Sequence, residues 1–76
     1  MAVQEERKYA IEAAVVRSMK MNRTMKASEL VLSVVQQLAY LFKAEPKYVK
    51  KRVADLIDRE FIARDEDNPM VLHYLA

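Results

Sequence analysis

The 76-residue chain contains no cysteine, no glycine and no tryptophan, and only two prolines and one histidine. Without cysteine there are no disulfides and no thiolate metal sites, a composition that fits the cytosol or nucleus. Without glycine there is no phosphate-cradling P-loop and no dinucleotide-binding fingerprint, because both need a residue with no Cβ where backbone meets phosphate. No apolar run approaches the roughly 18 residues of a membrane-spanning helix. The first eight residues, Met-Ala-Val-Gln-Glu-Glu-Arg-Lys, hold no hydrophobic signal core and so give no pointer to secretion. What remains is 53% hydrophobic and 32% charged, with a net charge of +2 and a pI near 9.0. That balance belongs to one small folded domain with a mild basic bias, as for an acidic partner or nucleic acid. A chain this short buries only about 60% of its unfolded surface, so a single tight core is all it can support.

The apolar pattern divides the chain into three helices and a hairpin. Residues 1–7 are expected to form a flexible polar lead-in, and residues 8–76 a single domain. The first helix is expected over about residues 8–21, with Ile11, Ala14, Val15, Ser18 and Met19 on its inward face. Asn22 through Ala27 is a polar connector. Ser28 is a plausible N-cap for a second helix running to about Tyr40, with Leu30, Val31, Val34, Leu38 and Leu41 as its stripe. Pro46 suits the first position of a third helix, which carries Val49, Val53, Leu56 and Ile57 and runs to about Glu60. After Glu60 the period changes to that of extended chain. Two β-suited runs, 61–64 and 70–75, flank the turn Asp65-Glu66-Asp67-Asn68-Pro69. Three helices followed by a hairpin give an α+β, mainly α fold: a winged helix, in which a three-helix bundle with a helix-turn-helix carries a C-terminal β-hairpin wing. An all-helical bundle with an irregular tail is the alternative.

One residue is oddly placed for a structural role. Lys20 lies nearly opposite Ile11 on the first helix, and beside it on the outer side are Ala13 and Val16, where an unpartnered helix would usually carry charge. The bland reading is a solvated lysine near a helix C-terminus, favoured by the dipole. For catalysis there is little to work with: the single histidine, His73, reads as a packed or half-exposed strand residue, and the acidic run at 65–67 lacks the glycine and the later glutamate of a calcium loop. The methionines Met19, Met21 and Met25 read as core and connector. Nucleic acid is the serious rival, because the third helix offers Lys47, Lys50, Lys51, Arg52 and Arg59. Asp55 and Asp58 share that helix and the wing tip is acidic, an arrangement that repels phosphate.

Two stretches and the chain ending together resemble one family. Val15-Val16-Arg17-Ser18-Met19-Lys20 resembles the segment around the modified lysine of cullins. Lys50-Lys51-Arg52-Val53-Ala54-Asp55-Leu56-Ile57-Asp58-Arg59-Glu60-Phe61-Ile62-Ala63-Arg64 resembles their last helix and first wing strand. Tyr74-Leu75-Ala76 resembles the cullin C-terminus, so the chain is expected to stop where the full protein stops.

The resemblance implies the C-terminal winged-helix domain of a larger cullin scaffold, a non-catalytic subunit of RING-type ubiquitin ligases. It further implies that Lys20 accepts the ubiquitin-like neddylation modifier through an isopeptide bond, activating ubiquitin transfer. Ala13, Val16, Arg17 and Arg23 become the candidate docking surface, and Arg17, Arg23 and Lys26, if near Lys20, would favour its neutral form. The partners implied are a RING-box protein, the neddylation conjugating enzyme with its modifier, a receptor-exchange factor and a deneddylating complex. No cofactor, metal, membrane or nucleic acid is implied. The chain departs from the family at Ser18, where a large aliphatic residue is usual, and at Leu72, where an aromatic residue is frequent.

Overall fold

The glutamine, glutamates, arginine and lysine of residues 4–8 are good helix formers, and the first helix, α1, spans Ala2–Asn22. It therefore begins well before residue 8: the backbone is already helical from Ala2 through the stretch expected to be a lead-in. The computed structural model describes residues 2–75, with side chains from Arg7 onward; Met1 and Ala76 lie outside the described residues. The inward face of α1 is the expected one, with Ile11, Ala14, Val15, Ser18 and Met19 all buried.

With no glycine to end the helix, Arg23 takes the left-handed conformation at φ 69° and its N–H donates to the Met19 carbonyl at 2.7 Å, the αL form of helix termination. The chain turned in this way becomes a strand, β1 (Thr24–Lys26), where the sequence led us to expect a connector. Three residues with one apolar member carry no legible period. Pairing makes the strand: Thr24, Met25 and Lys26 lie opposite His73, Leu72 and Val71.

That pairing also sets the start of the second helix, α2 (Ala27–Leu38). Ala27 N–H donates to the Met70 carbonyl at 2.8 Å. Lys26 is therefore the extended cap residue in place of Ser28, and Glu29 reaches back to accept the Lys26 N–H at 3.2 Å. Leu30, Val31, Val34 and Leu38 are buried as the stripe requires. Leu41 is not: α2 ends at Leu38, a turn leaves Leu41 58% exposed, and Ala44 enters the core in its place while Phe42 packs against it.

The third helix, α3 (Pro46–Asp58), has its proline in the first turn and buries Val49, Val53 and Leu56. It ends on Glu60 at φ 65°, with Phe61 N–H donating to Leu56 O and Glu60 N–H to Ile57 O, both at 3.0 Å. These two bonds are the Schellman pair, made here without glycine. Strands β2 (Ile62–Arg64) and β3 (Val71–Tyr74) follow, and the antiparallel sheet runs β1-β3-β2, so the C-terminal strand is central. Ile62 and Leu72 point from it into the helical core. The fold is a mainly α winged helix, its wing widened from a hairpin to three strands.

The turn between β2 and β3 is more than a solvated tip. Asp65 Oδ2 accepts the N–H groups of Asp67 and Asn68 at 3.0 Å each, and Asn68 Oδ1 accepts the Met70 N–H at 3.0 Å.

Candidate modification site and its groove

Lys20 occupies the last turn of α1 and is exposed. Its helix end is anchored from three sides. The Arg23 N–H closes the last turn; the Arg23 carbonyl accepts the Tyr74 N–H at 2.8 Å; and the Arg23 guanidinium lies 5.4 Å from the centre of the Tyr74 ring. Buried Met19 and Ser18, immediately before Lys20, fix the rotation of the helix so that Nζ is carried on the outward side.

Beside the lysine runs a groove of about 500 Å³ between α1 and the end of α3. Ala13, Val16, Arg17 and Lys20 line it together. Arg23 is not among the lining residues, because its side chain is turned onto Tyr74, and Lys26 is paired into β1. The groove also takes in Tyr9, Glu12, Leu56, Arg59 and Phe61, which sequence reasoning missed. For Tyr9 a signal was present. At about 100° per residue, Tyr9, Ala13, Val16 and Lys20 fall on one line along α1, an apolar stripe ending in the amine. Tyr9 is 65% exposed and Phe61 40%, so the groove presents two aromatic side chains to solvent. Phe61 could not be placed from sequence, since its position depends on where α3 stops.

The floor of the groove is braced by an ion-pair network. Arg52 Nη1 donates to Glu12 Oε2 at 3.1 Å, Arg59 Nη2 to Glu12 Oε1 at 2.9 Å, and Arg59 Nε approaches Asp55 Oδ2 at 3.2 Å. The Glu12 and Arg52 side chains keep only 12% and 13% exposure, so α1 and α3 are locked together where Coulomb attraction is least screened. Arg59 is held by acids, and among the described residues no carboxylate pairs with Lys20. On the other flank of α1, Gln37 Nε2 donates to the Ser18 Oγ at 2.6 Å, and Gln37 Oε1 accepts from Arg17 at 3.2 Å. The serine that departs from the family pattern is thus paired across to Gln37 of α2, the residue whose side-chain oxygen also accepts from Arg17.

His73 stands between Asp65, whose Oδ1 lies 2.7 Å from Nε2, and Thr24, whose Oγ1 lies 3.0 Å from Nδ1. On paper this is a hydroxyl, base and acid in sequence. In the fold the three side chains come from β1, β3 and the wing turn and tie those elements together. The His73 hydrogen bond, then the Asn68 and Asp67 backbone N–H groups, hold the Asp65 carboxyl below its ordinary value. Among the described residues no group of three or more His, Asp or Glu side chains could hold a metal ion.

These features define a winged-helix domain whose third helix braces α1 through Arg52 and Arg59 and whose first helix ends in an exposed lysine beside a largely apolar groove. The family model described as the cullin protein neddylation domain matches residues 6–68. Cullin-1 of Oryza sativa subsp. japonica is 46% identical over 74 residues, 97% of this chain and 10% of its own length. Human Cullin-4A is 45% identical over 72 residues, 95% of this chain and 9% of its own. A solved structure from work on a dual E3 mechanism for Rub1 ligation to Cdc53, Dcn1(P)-Cdc53(WHB), superposes with a TM-score of 0.92 at 31% identity, covering 99% of this chain and 86% of that one. The chain belongs to the cullin family and constitutes its C-terminal winged-helix domain, the neddylation domain. It spans about a tenth of the length of the curated relatives it matches, and the DNA-reading alternative is not favoured.

Proposed function

We propose that Lys20 is the acceptor for the ubiquitin-like neddylation modifier, and that the parent protein is a non-catalytic scaffold of a RING-type ubiquitin ligase. The observation that carries the reading is the exposed amine at the end of the Tyr9–Ala13–Val16 stripe, on a helix end anchored through Arg23 to β3. The chemistry is an aminolysis. The Nζ lone pair attacks the thioester carbonyl carbon at the modifier's C-terminus, the C–S bond breaks, the thiolate leaves on the conjugating enzyme, and the amine proton passes to a base. The chain has no thiol of its own, so the thioester comes from that enzyme and its approach from a RING-box protein. A fixed helix end lowers the entropic cost of presenting the amine. The neighbour in complex with Dcn1 supports docking to neddylation machinery. A receptor-exchange factor and a deneddylating complex complete the partners proposed for the cytoplasmic and nuclear scaffold.

The test uses the full-length cullin with its RING partner and the charged conjugating enzyme. Wild type gains one modifier's mass, mapped by peptide sequencing to Lys20; Lys20→Arg keeps its far-UV spectrum and gains none. Equal conjugation of the two proteins refutes the assignment.

A further inference from the structure

A second concavity shares no lining residue with the Lys20 groove. It is a cleft of about 230 Å³ between the start of α2, the middle of α3 and the wing. Val31 and Val53, at 8% and 6% exposure, are the least covered of the core side chains, and both line this cleft. With Leu72 they form a floor continuous with the hydrophobic core. Met70, 62% exposed, stands at the edge as a pliable apolar lip. Among the described residues the charged groups that line it are Lys50 and Arg64, and none of the lining residues is a carboxylate. Arg64 donates to the Pro69 carbonyl at 3.2 Å, which uses one of its five N–H groups and holds the guanidinium at the wing.

The nearby acids are otherwise engaged. Glu29 accepts the Lys26 N–H, and Asp65 is held by His73 and the turn. The cleft is smaller than the roughly 300–1,000 Å³ of small-molecule sites, a size that suits one or two side chains. Nucleic acid would satisfy Lys50 and Arg64 but would leave the aliphatic floor unfilled, and among the described residues none that lines the cleft is an aromatic on which a base could stack. The complement of an aliphatic floor under two cations is an aliphatic side chain flanked by carboxylates.

We propose that this cleft between α2, α3 and the wing docks an acidic peptide segment of a partner protein, which seats one aliphatic side chain on Val31, Val53 and Leu72 and places carboxylates on Lys50 and Arg64. Binding there is independent of Lys20 and leaves the amine accessible, so one domain can be held at one face while it is modified at the other.

The test is a titration of the isotope-labelled chain with the blocked peptide Asp-Asp-Leu-Glu-Asp, read by amide chemical shifts. The expected result is saturable shifts centred on Val31, Val53, Met70 and Leu72. They weaken about tenfold in the double variant Lys50→Glu, Arg64→Glu, whose substituted side chains are exposed and whose fold is checked by its unperturbed amides elsewhere. They are lost when serine replaces the leucine of the peptide, and unchanged in Lys20→Arg. The proposal is overturned by no shifts at millimolar peptide, by equal shifts with the serine peptide, by shifts centred on the Lys20 groove, by unchanged binding to the double variant, or by duplex DNA saturating the same amides more tightly.

Discussion

The two sides of the domain are held by polar contacts of opposite character. On the α1 side, Glu12 with Arg52 and Ser18 with Gln37 are largely buried, and between them they fix the helix that carries Lys20 against both its neighbours. On the wing side, Asp65 and His73 keep 32% and 40% exposure, and the pair ties a turn that water reaches. A buried pair deprived of one partner leaves a charge or donor that nothing solvates, whereas an exposed pair is replaced by water. The lysine thus sits on the part of the fold that resists perturbation, and the wing is the part that solution conditions can loosen.

The largest break in this contrast is expected from Glu12→Ala, which leaves the Arg52 guanidinium only the longer 3.8 Å approach to Asp55, while its Nε has no hydrogen-bond partner among the described residues. A loss of about 3 kcal/mol in urea unfolding is expected, and a loss below about 1 kcal/mol would show that the network is not buried in solution. Ser18→Ala comes next. It leaves the Gln37 amide without its 2.6 Å acceptor and is expected to cost about 1–2 kcal/mol by the same measurement, while Ser33→Ala, whose bond to Gln37 is longer at 3.1 Å, costs less.

The two left-handed helix ends sharpen the comparison with a smaller effect. Glu60→Gly removes an unfavourable backbone conformation at φ 65° and is expected to raise stability by about 1 kcal/mol. Arg23→Gly gains less, since it also removes the ring contact with Tyr74; a larger gain at Arg23 than at Glu60 would refute that contact's contribution. The smallest effect is acid sensitivity of the wing. The Asp65 carboxyl is held below the usual 3.8 when folded, so its stabilising contribution is present above about pH 4 and fades as pH falls through the lowered value. The stability difference between wild type and Asp65→Asn is expected to close in that acid window; a difference that stays constant to pH 2 would rule out the carboxylate as its source.

Much of the core was legible because helical periodicity marks burial directly. Every inward residue expected of α1 is buried, and of the α3 stripe Val49, Val53 and Leu56 are buried while Ile57 is half-buried against the core. Errors fall at the ends of α2, where pairing or helix termination outranks a local signal. Ser28 has the chemistry of a cap, but the β1–β3 pairing starts α2 one residue before it. Leu41 continues the α2 stripe in phase, but the helix has already ended. Within the groove, Ala13, Val16 and Arg17 could be found beside Lys20 because they share its helix, while Phe61 and Arg59 could not, because they reach it through the packing of α3 on α1.

From the sequence alone came the family, read from motifs spread along the chain, and the three helices, their inward faces and the outward lysine, which depend on residues within a few turns of one another. The third strand, the orientation of Arg23 onto Tyr74, the ion pairs across α1 and α3 and both concavities were decided by tertiary structure. Each joins residues far apart in the chain, and which of many such pairs forms is settled by the shape of the whole core, not by any local pattern.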